Sequence, residues 1–166
     1  ELNPEYEHRF FTDRDIVLFI KKEFPQYTNI YKLLKNSPKT GAIKADFWRL
    51  LVLLKYGGIY ADLDSICLKP LNTLIEKDNN MVSCIGDVHK GLQHWCIAIA
   101  PNHQIIKNTL ELGIQAILKS NGNYNKCDKI YYHGFCFDNY GLKLLKKEKE
   151  LGNGGIFSLI GPYTFQ

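Results

Sequence analysis

The spacing of apolar residues divides the chain into helix-like and strand-like stretches in alternation. Ile16, Val17, Phe19 and Ile20 follow helical spacing after Thr12, with Asp15 three residues past the threonine, so a capped helix is expected from Thr12 to the Phe24-Pro25 pair. Residues 6–11 alternate and are rich in aromatics, which predicts a short strand before that helix. A second, shorter helix is expected over residues 27–34, followed by a loop at Asn36-Ser37-Pro38 and Thr40-Gly41. Residues 42–56 are apolar almost all round, the pattern of a helix buried on most sides, and Gly57-Gly58 supplies its stop.

Beyond the glycine pair, residues 59–63 predict a strand, residues 70–75 a turn, and residues 81–85 and 95–100 two further strands. Pro101-Asn102-His103 leads into a helix expected over 104–120, and residues 121–128 form a polar loop. A charged amphipathic helix over 141–151, a hinge at 152–155 and a last strand at 156–160 complete the pattern. Strands separated by helices predict an α/β fold with a mostly parallel sheet, and 166 residues suffice for one domain over 1–166.

Charge narrows the partners. The formal net charge is +4, and only Arg9, Arg14 and Arg49 among the 21 basic residues are arginine. The densest cluster, Lys143, Lys146, Lys147 and Lys149, is interleaved with Glu148 and Glu150 and reads as a solvated helix face, so no nucleic-acid partner is expected. No apolar run is long enough to span a bilayer. Five cysteines without a C-x-x-C pair suggest neither zinc nor a disulfide framework, and buried, reduced thiols are expected. With no N-x-S/T sequon, a cytosolic setting is the expectation, or the Golgi lumen if an anchor lies outside this chain.

Two features carry chemistry. Asp46 and Arg49 stand three residues apart, hence on one face, and are nearly the only charges in an apolar helix. A structural ion pair is the plain reading, yet burying such a pair rarely stabilises a fold. Asp62 and Asp64 flank Leu63, which in a strand sets both carboxylates on one side, roughly 7 Å apart, with Leu63 turned into the sheet. Such a pair is relieved by a divalent cation or by hydroxyl donors, and hard oxygen ligands select Mg²⁺ or Mn²⁺, which hold a diphosphate. A second D-x-D, Asp13-Arg14-Asp15, is most simply the acidic start of a helix.

The run Ala45-Asp46-Phe47-Trp48-Arg49, then Gly57-Gly58-Ile59-Tyr60-Ala61-Asp62-Leu63-Asp64, resembles the glycosyltransferase sugar-binding region containing the DXD motif, and is distantly similar to the glucosylating domains of large clostridial toxins. Fainter echoes are Asn3-Pro4-Glu5-Tyr6, Ala100-Pro101-Asn102-His103 and Gly161-Pro162. The resemblance implies a GT-A-like fold, retention of anomeric configuration, and transfer of a hexose or N-acetylhexosamine from a UDP- or GDP-sugar to a hydroxyl on a glycan, lipid or protein. It also implies roles: Asp46 and Arg49 on donor-sugar hydroxyls, Tyr60 and Asp62 near the ribose and sugar, Gly57 and Gly58 shaping the donor site, and Asp64, with Asp62, on Mn²⁺ or Mg²⁺. Against the family pattern, Gln93-His94 stands where an asparagine is common and Ile160 where a threonine is. The chain is expected to be shortened at both ends, lacking the first strand and a C-terminal segment.

Several residues are set aside. His94, His103 and His133 lack paired spacing and read as structural or surface histidines, and Trp48 reads as core. Asp87 and Asp138 are candidates for a carboxylate near the reacting carbon, without an assignment; Trp95 is a candidate for stacking, and Tyr131-Tyr132 for the acceptor cleft. Two rivals remain: a metal-dependent nucleotidyltransferase or phosphohydrolase using the same carboxylates, and a non-catalytic nucleotide-sugar or carbohydrate-binding module.

Overall fold

A computed structural model describes residues 2–34, 38–85, 92–122, 131–132 and 135–136. Helix α1 (Asp13–Glu23) begins at a capping box: Asp15 N donates to Thr12 Oγ1, and Asp15 Oδ2 accepts from Thr12 N at 2.9 Å. The Asp13-Arg14-Asp15 triplet is therefore a helix start, as expected. Its apolar stripe buries Ile16, Phe19 and Ile20, each stabilising the fold by about 1.5–3 kcal/mol. A 3₁₀ turn at Pro25–Tyr27 leads to α2 (Thr28–Leu33).

Helix α3 (Pro38–Tyr56) is the centre of the molecule, with Phe47, Leu51 and Leu53 essentially inaccessible to water. It starts four residues before the expected position because a proline is tolerated in the first turn, where its missing N–H has no partner to lose. Helix α4 (Gln104–Ser120) packs on α3 and buries Ile106, Leu110 and Ile117. His103 Nδ1 accepts from Ile105 N at 3.2 Å at its start, and Asn121, at φ 49°, ends it in the left-handed conformation.

The sheet contains β1 (Gly58–Ala61), β2 (Met81–Ile85) and β3 (Leu92–Ile99) in the order β1-β3-β2. Both outer strands pair antiparallel with β3, with Gly58 opposite Ile99, Ala61 opposite Cys96, and Met81 opposite Ile99. The mixed α/β class is as expected, but the mostly parallel pairing is not found among the described strands. The reason is loop length: only residues 86–91 join β2 to β3, whereas a parallel crossover needs about a dozen residues or more. Strands β1 and β2 do run in the same direction, separated by β3. A two-residue pair, β4 (Tyr131–Tyr132) with β5 (Phe135–Cys136), lies apart from this sheet.

Three further expectations need correction. Residues 6–11 form no strand; the segment is exposed up to Phe11, which packs on Phe19 and Trp48. Cys67 is exposed and Cys96 half-buried rather than both buried. The first strand after the glycines stops at Ala61 instead of residue 63, because residues 62–65 close a turn with Ser65 N donating to Asp62 O at 3.0 Å. Aspartate is favoured at the head of such a turn. The helix expected over 141–151 and the strand over 156–160 lie outside the described residues. Among the described residues no helix is long and apolar enough to cross a membrane.

Candidate active site

Gly57 fixes how α3 meets β1. It adopts φ +62°, its N–H donates to Leu53 O at 2.8 Å, and an added Cβ would lie 2.5 Å from Pro101 N and 2.8 Å from Ile99 O. Only glycine fits both the left-handed backbone and that close approach. Gly58, at φ +87°, faces open space, so its requirement is conformational alone. Together they turn the chain sharply enough for β1 to run back along the helix that precedes it, bringing Tyr60 and Asp62 to Asp46 and Arg49.

Arg49 is the hub. Its Nη2 lies 3.0 Å from Asp46 Oδ1 on its own helix and 3.2 Å from Asp62 Oδ1 just beyond β1. Asp46 and Arg49 are only 4% and 5% exposed. Tyr60 stacks its ring under the Arg49 guanidinium, 4.6 Å from centroid to Cζ, and its hydroxyl donates to Asp62 Oδ1 at 2.8 Å. Both contacts to Asp62 fall on Oδ1, leaving Oδ2 without a partner among the described residues. The side chain of Asp62 is about one-third exposed, at 35%, so the cluster opens to solvent at this carboxylate.

The electrostatics follow from this burial. Burial pushes the Asp46 carboxyl up to about 7; Arg49 pulls the other way and Asp62 adds to the rise. Burial likewise pushes the Tyr60 phenol up to about 12, so it stays a hydrogen-bond donor at neutral pH. The cluster sets two carboxylates against one guanidinium, an excess of one formal negative charge.

Asp64 sits apart from this cluster. It is exposed, within the turn that follows β1, and has no partner among the described residues. Strand alternation therefore does not relate it to Asp62, and Leu63, at 84% exposure, points to water rather than into the sheet. The donor set nevertheless fits a small hard cation, which takes one or two carboxylates and completes its shell with phosphate oxygens and water. Among the described residues no group of three or more His, Cys, Asp or Glu gathers closely enough to hold a metal ion, here or elsewhere, so a cation at this place would rest on one or two carboxylates.

Of the residues set aside, His103 is the α4 cap and so structural, as expected. Trp48 packs against the core, as expected; it is half-buried, 6.1 Å from the Tyr60 ring, and its Nε1 has no hydrogen-bond partner among the described residues. Trp95 is partly exposed on β3. Asp87, His133 and Asp138 fall outside the described residues, as do the side chains of His94, Tyr131 and Tyr132.

Residues 1–81 match the family model for the glycosyltransferase sugar-binding region containing the DXD motif. The chain is 33% identical over 91 residues to the initiation-specific alpha-1,6-mannosyltransferase of Candida albicans, a match covering 51% of this chain and 23% of that protein. It is 36% identical over 75 residues to inositol phosphoceramide mannosyltransferase 3 of Schizosaccharomyces pombe, covering 45% of this chain and 20% of that protein. The matched stretches thus span less than a quarter of either relative. The solved PaToxG glycosyltransferase aligns with 93% of this chain and 56% of its own, at 19% identity and a TM-score of 0.44. Over residues 1–81, which hold Asp46, Arg49, Tyr60, Asp62 and Asp64, the chain is similar to the glycosyltransferase sugar-binding region containing the DXD motif.

Proposed function

We propose that the protein containing this chain transfers a hexosyl group from a nucleotide sugar to an acceptor hydroxyl, with retention of configuration and with Mn²⁺ or Mg²⁺ bound at Asp64 and Asp62. One observation carries the reading: Arg49 bridges Asp46 of the buried helix to Asp62 of the motif, 3.0 Å and 3.2 Å away, and leaves a carboxylate edge open to solvent. A buried Arg between two carboxylates adds little to stability for its cost in desolvation. It does hold rigid, charged hydrogen-bonding groups where a polar ligand can use them.

In this reading Asp46 and Arg49 hold hydroxyls of the donor sugar, and Tyr60 and Asp62 border the ribose and sugar. Tyr60 keeps Asp62 oriented through its hydroxyl and supports Arg49 from below with its ring. A bound cation would neutralise charge growing on the nucleoside diphosphate as its bond to the anomeric carbon breaks. That carbon forms its new bond to the acceptor oxygen, whose proton is released. The names of the Candida and Schizosaccharomyces relatives favour mannose as the sugar, and a glycan or a lipid as the acceptor.

The test is a donor survey with product analysis. The protein is incubated with Mn²⁺, GDP- and UDP-hexoses and a mixture of glycan and glycolipid acceptors. Incorporation of sugar from one donor, most strongly a mannosyl donor, with release of the matching nucleoside diphosphate, is the expected result. Nucleotide hydrolysis indifferent to Asp46→Asn and Arg49→Lys would favour a phosphohydrolase, and donor binding without turnover a binding module.

A further inference from the structure

The Asn3-Pro4-Glu5-Tyr6 segment has no role in the site described so far, yet it is tied to the chain that leaves that site. Asn3 Oδ1 accepts from Leu71 N at 2.7 Å, and Asn3 Nδ2 donates to Cys67 Sγ at 3.4 Å. Tyr6 donates from its hydroxyl to Asn72 Oδ1 at 2.7 Å, and Asn72 Nδ2 donates back to Glu5 Oε1 at 2.5 Å. The segment is itself a turn, closed by Tyr6 N donating to Asn3 O at 3.2 Å. The contacts reach across 64 to 68 residues of sequence, joining the start of the chain to the loop after Asp64.

Among the described residues that loop has little else to hold it. At its near end Asp62 N donates to Trp95 O at 2.8 Å, which continues the sheet by one residue. Beyond Asp64, Ile66 and Leu68 are each 82% exposed, so apolar burial does not fix the loop's path. The far end is a 3₁₀ turn (Leu71–Thr73) whose first N–H, that of Leu71, is the one taken by Asn3. A loop held only at one end must be ordered by whatever binds it, and apparent affinity falls by the fraction of time it is in place.

We propose that Asn3 and Tyr6 are positioning residues for Asp64. They grip the loop at Cys67, Leu71 and Asn72, so that the Asp64 carboxylate is already placed before the cation and nucleoside diphosphate arrive. The inference rests on the cation role of Asp64 proposed above. It assigns to the opening four-residue turn a task that concerns the metal rather than the sugar.

The test is calorimetric titration of UDP and of GDP into the full chain across a range of Mn²⁺ concentrations. For Asn3→Ala and Tyr6→Phe, the Mn²⁺ concentration giving half-maximal binding should rise about tenfold, while nucleotide affinity at saturating Mn²⁺ returns to the wild-type value. Asn3→Asp, which keeps the acceptor for Leu71 N, should fall between wild type and Asn3→Ala. General structural damage would instead lower affinity at every Mn²⁺ concentration, and that outcome, or an unchanged Mn²⁺ requirement in both variants, overturns the inference. Should Asn3→Ala fail to fold, Tyr6→Phe, which loses a single oxygen at a partly exposed ring, decides alone. Wild-type protein that binds neither nucleotide in Mn²⁺ overturns the Asp64 assignment and this inference together, an outcome recognisable from the wild type.

Discussion

Arg49 and Asp62 are thirteen residues apart in sequence and 3.2 Å apart in space, joined by a guanidinium that also holds Asp46. This contact couples the most buried helix of the fold to the end of the strand where the motif begins. It makes the site one electrostatic unit, so a change at any member is felt by the others.

Removing the hub should therefore destabilise the fold. Arg49→Met takes away the cation 3.0 Å from Asp46 while leaving the carboxylate buried. Loss of one partner of a buried pair costs about 3–5 kcal/mol. The double variant Arg49→Met with Asp46→Asn should recover part of that, as read by urea unfolding of both proteins. A single variant within about 1 kcal/mol of wild type would mean that Asp46 is not charged in the folded state.

Stability should fall with rising pH in a defined window. Asp46 is raised from 3.8 to about 7 in the folded chain, chiefly by burial, so the folded state binds its proton more tightly than the unfolded one. Its contribution is fully present below pH 3.8 and is lost as pH rises to about 7, above which it changes no further. Urea unfolding of wild type and Asp46→Asn between those limits isolates the effect, because the variant lacks the titrating group. A stability difference between the two that stays constant over this range would contradict the assignment.

The glycine pair should divide by its surroundings. Gly57→Ala forces a methyl group to 2.5 Å from Pro101 N at a left-handed φ, and should cost about 1–3 kcal/mol or more. Gly58→Ala meets nothing within 4 Å and should cost only the conformational penalty of about 1 kcal/mol. Thermal melts of the two variants check the order.

Tyr60→Phe keeps the ring beneath Arg49 but deletes the 2.8 Å hydrogen bond to Asp62. Stability should drop by about 0.5–1.5 kcal/mol, and donor affinity should fall as Asp62 loses its orientation. Tyr60→Ala should be worse on both counts, since the ring under the guanidinium goes too. Equal donor affinity in wild type and Tyr60→Phe would remove the phenol from the site.

Much of this was legible in the residues. The capping box at Thr12, the all-round apolar helix, and the bounds of α4 at 104 and 120 follow from local pattern, where periodicity and caps agree. The Asp46–Arg49 face was legible for the same reason, being a matter of helical spacing. The Arg49–Asp62 contact was not, because it depends on how tightly Gly57 folds β1 back against α3. Strand direction was misjudged, since alternation says nothing about which strand a neighbour is. The reading of Asp64 as a strand residue failed where turn chemistry at 62–65 overrode the alternating pattern. The role of Asn3 and Tyr6 is not legible in the sequence, because their partners lie more than 60 residues away.

The proposed function turns on Asp64, two residues beyond Asp62 in the exposed turn, holding a cation that binds the donor's diphosphate. Thermal-shift measurement of wild type and Asp64→Ala with a panel of nucleotide sugars, each with and without Mn²⁺, addresses it most directly. The account predicts stabilisation by one donor only when Mn²⁺ is present, abolished in Asp64→Ala. Equal, metal-independent shifts in the two proteins would contradict it.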